Sequence, residues 1–91
     1  MGAYVQCMAR HPSQTELGRR ASTIRKERGL SQMALAELVN LHFTFVSQVE
    51  RGQRNLSLAS LLRLAEGLDV NPAVLVDGLR WTIEPDEEEG G

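Results

Sequence analysis

Twenty residues, Gln32 to Arg51, leave the chain little freedom of architecture: QMALAELVNLHFTFVSQVER. Ser31 is placed to cap a helix over Gln32 to Val39, because a serine oxygen accepts from the unpaired N–H groups of a first turn. Met33, Leu35, Ala36, Leu38 and Val39 make that helix apolar around most of its circumference, which predicts extensive burial. Asn40 tolerates positive φ and ends it. A further helix runs from about Phe43 to Arg51 and is closed by Gly52. Val46 and Val49 form its buried stripe, with Leu41 just ahead. Phe43, Thr44, Ser47, Gln48 and Arg51 share the opposite face, which is short-branched, polar and free of carboxylates. Ala36 sits where the two helices must approach closely, and Asn40 falls where a left-handed residue is needed. Small, turn-forming and aliphatic positions at this spacing fit two helices crossing at a steep angle.

The rest of the chain supplies three more helices. Leu17, Ala21, Ile24 and Arg28 recur at helical spacing within Ser13 to Arg28, and Gly29 stops that helix. Ser57 caps Leu58 to about Leu68, whose Leu58, Leu61, Leu62, Leu64, Ala65 and Leu68 provide a core side. Asn71–Pro72 opens a last helix through about Leu79. No segment alternates with the two-residue period of a strand, and no repeat is visible. The fold class is therefore all-α, with five short helices. Residues 1–12 form an extension, 13–83 the folded domain and 84–91 an acidic tail with nothing to bury.

Charge and composition narrow the function. The formal net charge is −2, but Glu84, Asp86, Glu87, Glu88 and Glu89 lie together near the end. Without them, seven acids face ten Lys and Arg, so residues 1–83 carry +3. Arg19, Arg20, Arg25, Lys26 and Arg28 cluster in one stretch, and Arg51 and Arg54 in another. A local basic surface matters more than the total for an anionic partner. No apolar run reaches the roughly 20 residues that cross a bilayer, and the N-terminus lacks the pattern of a secretory signal. The single cysteine, Cys7, has no intrachain partner, and a cytoplasmic protein is expected. His11 and His42 lack further residues spaced to complete a metal site. Ser47 has no nucleophile elbow around it, so no catalytic residue is expected, and no cofactor or small-molecule ligand either.

The stretch from GLSQ (Gly29 to Gln32) through VSQVERG (Val46 to Gly52), followed by a capping serine and a leucine-rich helix, resembles the Cro and phage-repressor type of helix-turn-helix domain, the XRE family. The resemblance runs from Leu17 to about Leu79, and ERGQRNLSL is also similar to the small controller proteins of restriction–modification systems. It implies a phage-repressor-like fold in which the second and third helices form the helix-turn-helix. The partner implied is double-stranded DNA, with the third helix in the major groove. Carried over by position, the base readers are His42, Phe43, Thr44, Ser47 and Gln48. Gln48 can pair bidentately with adenine, while Thr44 and Phe43 can meet a thymine methyl. Gln32 matches the family's phosphate-binding glutamine, and Arg51, Arg54, Arg19 and Arg20 are the other phosphate contacts. Members often carry Arg where Phe43 stands and Tyr where Phe45 stands, so guanine readout and a phosphate-contacting hydroxyl are missing here.

Several positions keep two readings. His42 suits a cap or a solvent-facing position as well as a reader, and the first-helix arginines suit a solvated face as well as phosphate. Phe45 is expected to be partly buried. Glu50 lies beside the Val46–Val49 stripe, where a bare carboxylate is costly; the family solution is an ion pair, with Arg25 as the matching residue. A homodimer on a two-fold symmetric operator is expected, through Val74, Leu75, Leu79, Trp81 and Ile83, part of which must also complete the monomer core. The alternative class is a protein-binding module on the same scaffold, such as an antitoxin that neutralises a toxin.

Overall fold

The computed structural model describes residues 11–80, and five helices account for most of them: α1 (Pro12–Glu27), α2 (Gln32–Val39), α3 (Phe43–Glu50), α4 (Leu58–Leu68) and α5 (Pro72–Val76). Every one begins at a residue whose side chain accepts a hydrogen bond from its first turn. Ser31 accepts from Ala34 N–H at 2.9 Å, Ser57 from Ser60 N–H at 3.0 Å and Asn71 from Ala73 N–H at 2.8 Å. The other two caps are histidines. His11 Nδ1 accepts from Ser13 N–H at 3.0 Å and starts α1 at Pro12, one residue before the expected boundary. Asn40 between α2 and α3 takes the left-handed conformation with φ of 58°, and Asp69 does the same after α4 with φ of 61°.

α1 packs across α3, α2 rests on α3 and α4, and α5 closes the far end against α4 and α1. Their shared interior is aliphatic: Ala21, Leu35, Ala36, Val39, Val46, Val49, Leu64, Ala65, Leu68 and Leu75 are all buried. Two helix crossings depend on glycine. A Cβ on Gly18 of α1 would overlap the carbonyl oxygens of Val49 and Glu50, and one on Gly67 of α4 would overlap the Val39 side chain. These contacts fix α3 against α1 and α2 against α4.

Four expectations need correction. α2 is not buried around most of its circumference: Met33 is 56% and Leu38 62% exposed. An eight-residue helix that packs mainly on α3 and α4 buries one side, whatever lies on the other. On α4, Leu58 and Leu62 likewise face outward. α5 stops at Val76 and not near Leu79, because Asp77 turns extended (ψ 127°) and Gly78 follows with φ of 77°. Leu75, expected at a dimer surface, is fully buried beneath α5 and belongs to the monomer core. Trp81 and Ile83, named with it, lie outside the described residues, as do the acidic tail and residues 1–10.

Candidate nucleic-acid interface

Burying Val46 and Val49 turns the opposite side of α3 outward. Phe43 and Thr44 are exposed and Ser47 and Gln48 half-exposed. Among the described residues, the side-chain polar atoms of Thr44, Ser47 and Gln48 are spent on no intrachain hydrogen bond. A helix face of this kind, with unsatisfied donors and acceptors beside an apolar ring, is complementary to base edges carrying donors, acceptors and methyl groups. His42 stands just ahead of it, exposed, but its Nδ1 accepts from Thr44 N–H at 3.1 Å. That acceptor role puts the ring proton of the neutral imidazole on Nε2. His42 is thus the N-cap of α3, with one nitrogen left for any other contact.

Beneath the face lies a buried polar cluster. Arg25 Nε donates to Glu50 Oε2 at 2.6 Å and its second nitrogen to Oε1 at 3.0 Å, a bidentate pair 10% and 5% exposed at the two side chains. Arg25 also donates to the Leu30 carbonyl at 2.8 Å, and Gln32 Nε2 to Glu50 Oε1 at 2.9 Å. The cluster joins the ends of α1, α2 and α3, and no buried side-chain polar atom among the described residues lacks a partner. Gln32, carried over as a phosphate contact, thus has part of its amide committed to Glu50. The family resemblance implied Arg25 opposite Glu50, as the structure has it; the Gln32 arm was missed, because Gln32 at the start of α2 is distant in sequence from Glu50.

The arginines divide by what they already hold. Arg28, the C-cap of α1, donates to the carbonyls of Leu68 and Asp69 at 2.8 and 3.0 Å, satisfying the end of α4. Arg19 and Arg20 both bind Glu16, at 2.8 and 3.0 Å, and Arg20 also reaches the Val74 and Leu75 carbonyls. Hydrogen bonds from Arg19 and then Arg20 lower the Glu16 carboxyl to a pKa of about 2, and Glu16 in turn raises that of Arg19. The two expected phosphate contacts on α1 are therefore already paired with a carboxylate. Arg51 is exposed at the end of α3, with one donor on Gln53 at 3.3 Å. Arg54 is exposed with its guanidinium 5.0 Å from the centre of the Phe45 ring.

Residues 22–75 match the HTH_3 helix-turn-helix family. The chain belongs to that family. Its helix-turn-helix is α2, the Asn40–His42 turn and α3, as the XRE resemblance implied. It is 41% identical over 64 residues to the HTH-type transcriptional regulator PrpR of Mycobacterium tuberculosis, a match covering 70% of this chain and 13% of that protein. The chain thus spans a small fraction of the length of that regulator. Among solved structures it is similar to the restriction–modification controller protein C.AhdI of Aeromonas hydrophila, with 45% identity, a TM-score of 0.67, and coverage of 68% of this chain and 94% of that one. SinR, a master regulator for biofilm formation solved in complex with DNA, matches at 35% identity and a TM-score of 0.64, over 67% of this chain and 98% of that one. Among the described residues no helix is long and apolar enough to cross a membrane, and no cluster of three His, Cys, Asp or Glu can hold a metal.

Proposed function

We propose that this protein is a sequence-specific, DNA-binding transcriptional regulator without enzymatic activity, acting in the cytoplasm as a dimer on a two-fold symmetric operator. The observation that carries the proposal is the outward face of α3, where Thr44, Ser47 and Gln48 present unspent polar groups next to exposed Phe43. The DNA complex of SinR and the controller protein C.AhdI, similar in fold and sequence, support it. In this reading α3 enters the major groove and its first two turns meet base edges. Arg51 and Arg54 neutralise backbone phosphates beyond its end, supplying salt-dependent affinity, while the face of α3 supplies discrimination. Arg25 and Glu50 act structurally, holding α3 to α1. The dimer surface lies on the outer side of α5, where Val74 is 47% exposed and Val76 is also exposed, with Leu79 beside it; Leu75 is excluded by its burial.

Selection of duplexes from a random DNA pool by the purified protein tests this directly. The expected product is an enriched sequence with two inverted half-sites, protected as a pair in a footprint. A pool that stays random after repeated rounds, with a correctly folded protein, would refute the proposal.

A further inference from the structure

Phe45 stands apart from the residues on either side of it. With about 100° between successive helix positions, it lies about 60° from Gln48 on the outer face and about 40° from Val49 in the core stripe. It is half-buried and packs against the core, yet Arg54 stacks over its ring at 5.0 Å. Arg54 comes from the loop after α3 and is exposed. Among the described residues its guanidinium makes no hydrogen bond or ion pair. Arg25, Arg28, Arg19 and Arg20 have all given donors to carboxylates or carbonyls. A guanidinium stacked on an aromatic face is held by the ring quadrupole and keeps its in-plane N–H groups for another acceptor. The ring thus restricts a long side chain without consuming its hydrogen bonds, which lowers the entropy cost of engaging a phosphate.

We propose that Phe45 is a positioning residue for DNA binding, holding the Arg54 guanidinium beside α3 with its donors available to a backbone phosphate. The inference rests on the DNA-binding reading above. Phe45 has no hydroxyl with which to reach a phosphate itself, so its contribution passes through Arg54 and carries no base preference.

The test uses the full chain with the duplex enriched by selection and with a random-sequence duplex. Phe45→Leu keeps an apolar side chain and removes the ring; Phe45→Tyr keeps the ring. The expected result is a loss of about two- to fivefold in affinity for both duplexes in Phe45→Leu, none in Phe45→Tyr, and no further loss when Phe45→Leu is added to Arg54→Ala. In the free protein, the Arg54 side-chain protons should show an upfield ring-current shift in NMR that disappears in Phe45→Leu while the melting curve stays cooperative. Additive losses in the double variant, or a loss confined to the selected duplex, would overturn the proposal, as would an Arg54 spectrum unchanged by Phe45→Leu. If the wild type binds neither duplex yet the Arg54 shift is present, the DNA-binding reading has failed and the positioning role falls with it. If binding is intact but the shift and the coupling are absent, only the positioning role fails.

Discussion

Glu50 is the residue on which the site depends most heavily, although it faces away from any partner. Its carboxylate accepts from Arg25 twice and from Gln32 once, with little water to share the charge. Removing Arg25 strands that charge, so Arg25→Ala should cost roughly 3–5 kcal/mol, a large part of a small domain's total stability. Urea titration of Arg25→Ala should show a strongly lowered midpoint, whereas Arg25→Met with Glu50→Leu should recover part of the loss. Glu16 is the opposite case, a half-exposed carboxylate whose partner Arg19 lies at the surface. Its folded pKa of about 2 lies below the ordinary 4.5, so the stability it contributes is present above about pH 4.5 and is lost as pH falls through 2. The wild type and Glu16→Gln should therefore differ slightly in urea midpoint near pH 6 and converge at pH 2. Because Glu16 also occupies Arg19 and Arg20, Glu16→Gln should steepen the salt dependence of DNA binding at neutral pH, as freed cations reach phosphate. An unchanged salt slope would show that α1 does not approach DNA.

At the scale of elements, α3 must be both fixed and uncovered. Gly18 secures the first condition, since α1 lies directly on the backbone at the end of α3. Helix propensity alone favours Gly18→Ala by up to about 1 kcal/mol. The overlap with two carbonyl oxygens should prevail, giving a net loss of roughly 1–3 kcal/mol in urea denaturation. The second condition is tested by two substitutions, one on the outer face of α3 and one at its C-cap. Gln48→Ala should cost about 1–3 kcal/mol on the selected duplex and relax choice at one base position. Arg51→Ala should weaken selected and random duplexes alike and reduce the salt slope by about one. Equal effects from both on both duplexes would remove the division between reading and anchoring. Both conditions were partly legible in the residues. Caps at Ser31, Ser57 and Asn71, the turn at Asn40 and the valine stripe of α3 are local signals, and periodicity reveals them. Exposure of Met33 and Leu38 was not legible, because an apolar side chain records what a helix could bury and not how many neighbours it has. His42 was open to a cap reading and is one, whereas His11 was missed as a cap, since a ring nitrogen serves as acceptor in only one tautomer. The Phe45–Arg54 stack joins a helix to the following loop, and no spacing rule covers such a contact.

For the molecule as a whole, a single copy of the reader proposed above is too small to be selective alone. α3 offers about two turns of outward surface, and a short base-reading patch gives only a few discriminating contacts. Duplication by two-fold symmetry doubles the site without a second fold and requires an inverted repeat in the DNA. The exposed side of α5 is where such symmetry is proposed to act, since Val74 and Val76 face outward while Leu75 anchors the same helix to the core. Neighbouring residues on α5 therefore make opposite predictions. Val74→Glu should leave the melting temperature of the fold nearly unchanged but shift the sedimentation behaviour to monomer, and its footprint should lose the simultaneous protection of both half-sites. Leu75→Ala should instead unfold the domain, at a cost of about 2–5 kcal/mol for emptying a closed core position. Where the dimer does form, the two copies of α3 should protect DNA at centres about 34 Å apart, one helical turn. Inserting five base pairs between the half-sites would rotate one reading face to the far side of the duplex and should reduce affinity to that of a single half-site. If that insertion costs nothing, the two copies bind independently, and the outer side of α5 has some other purpose.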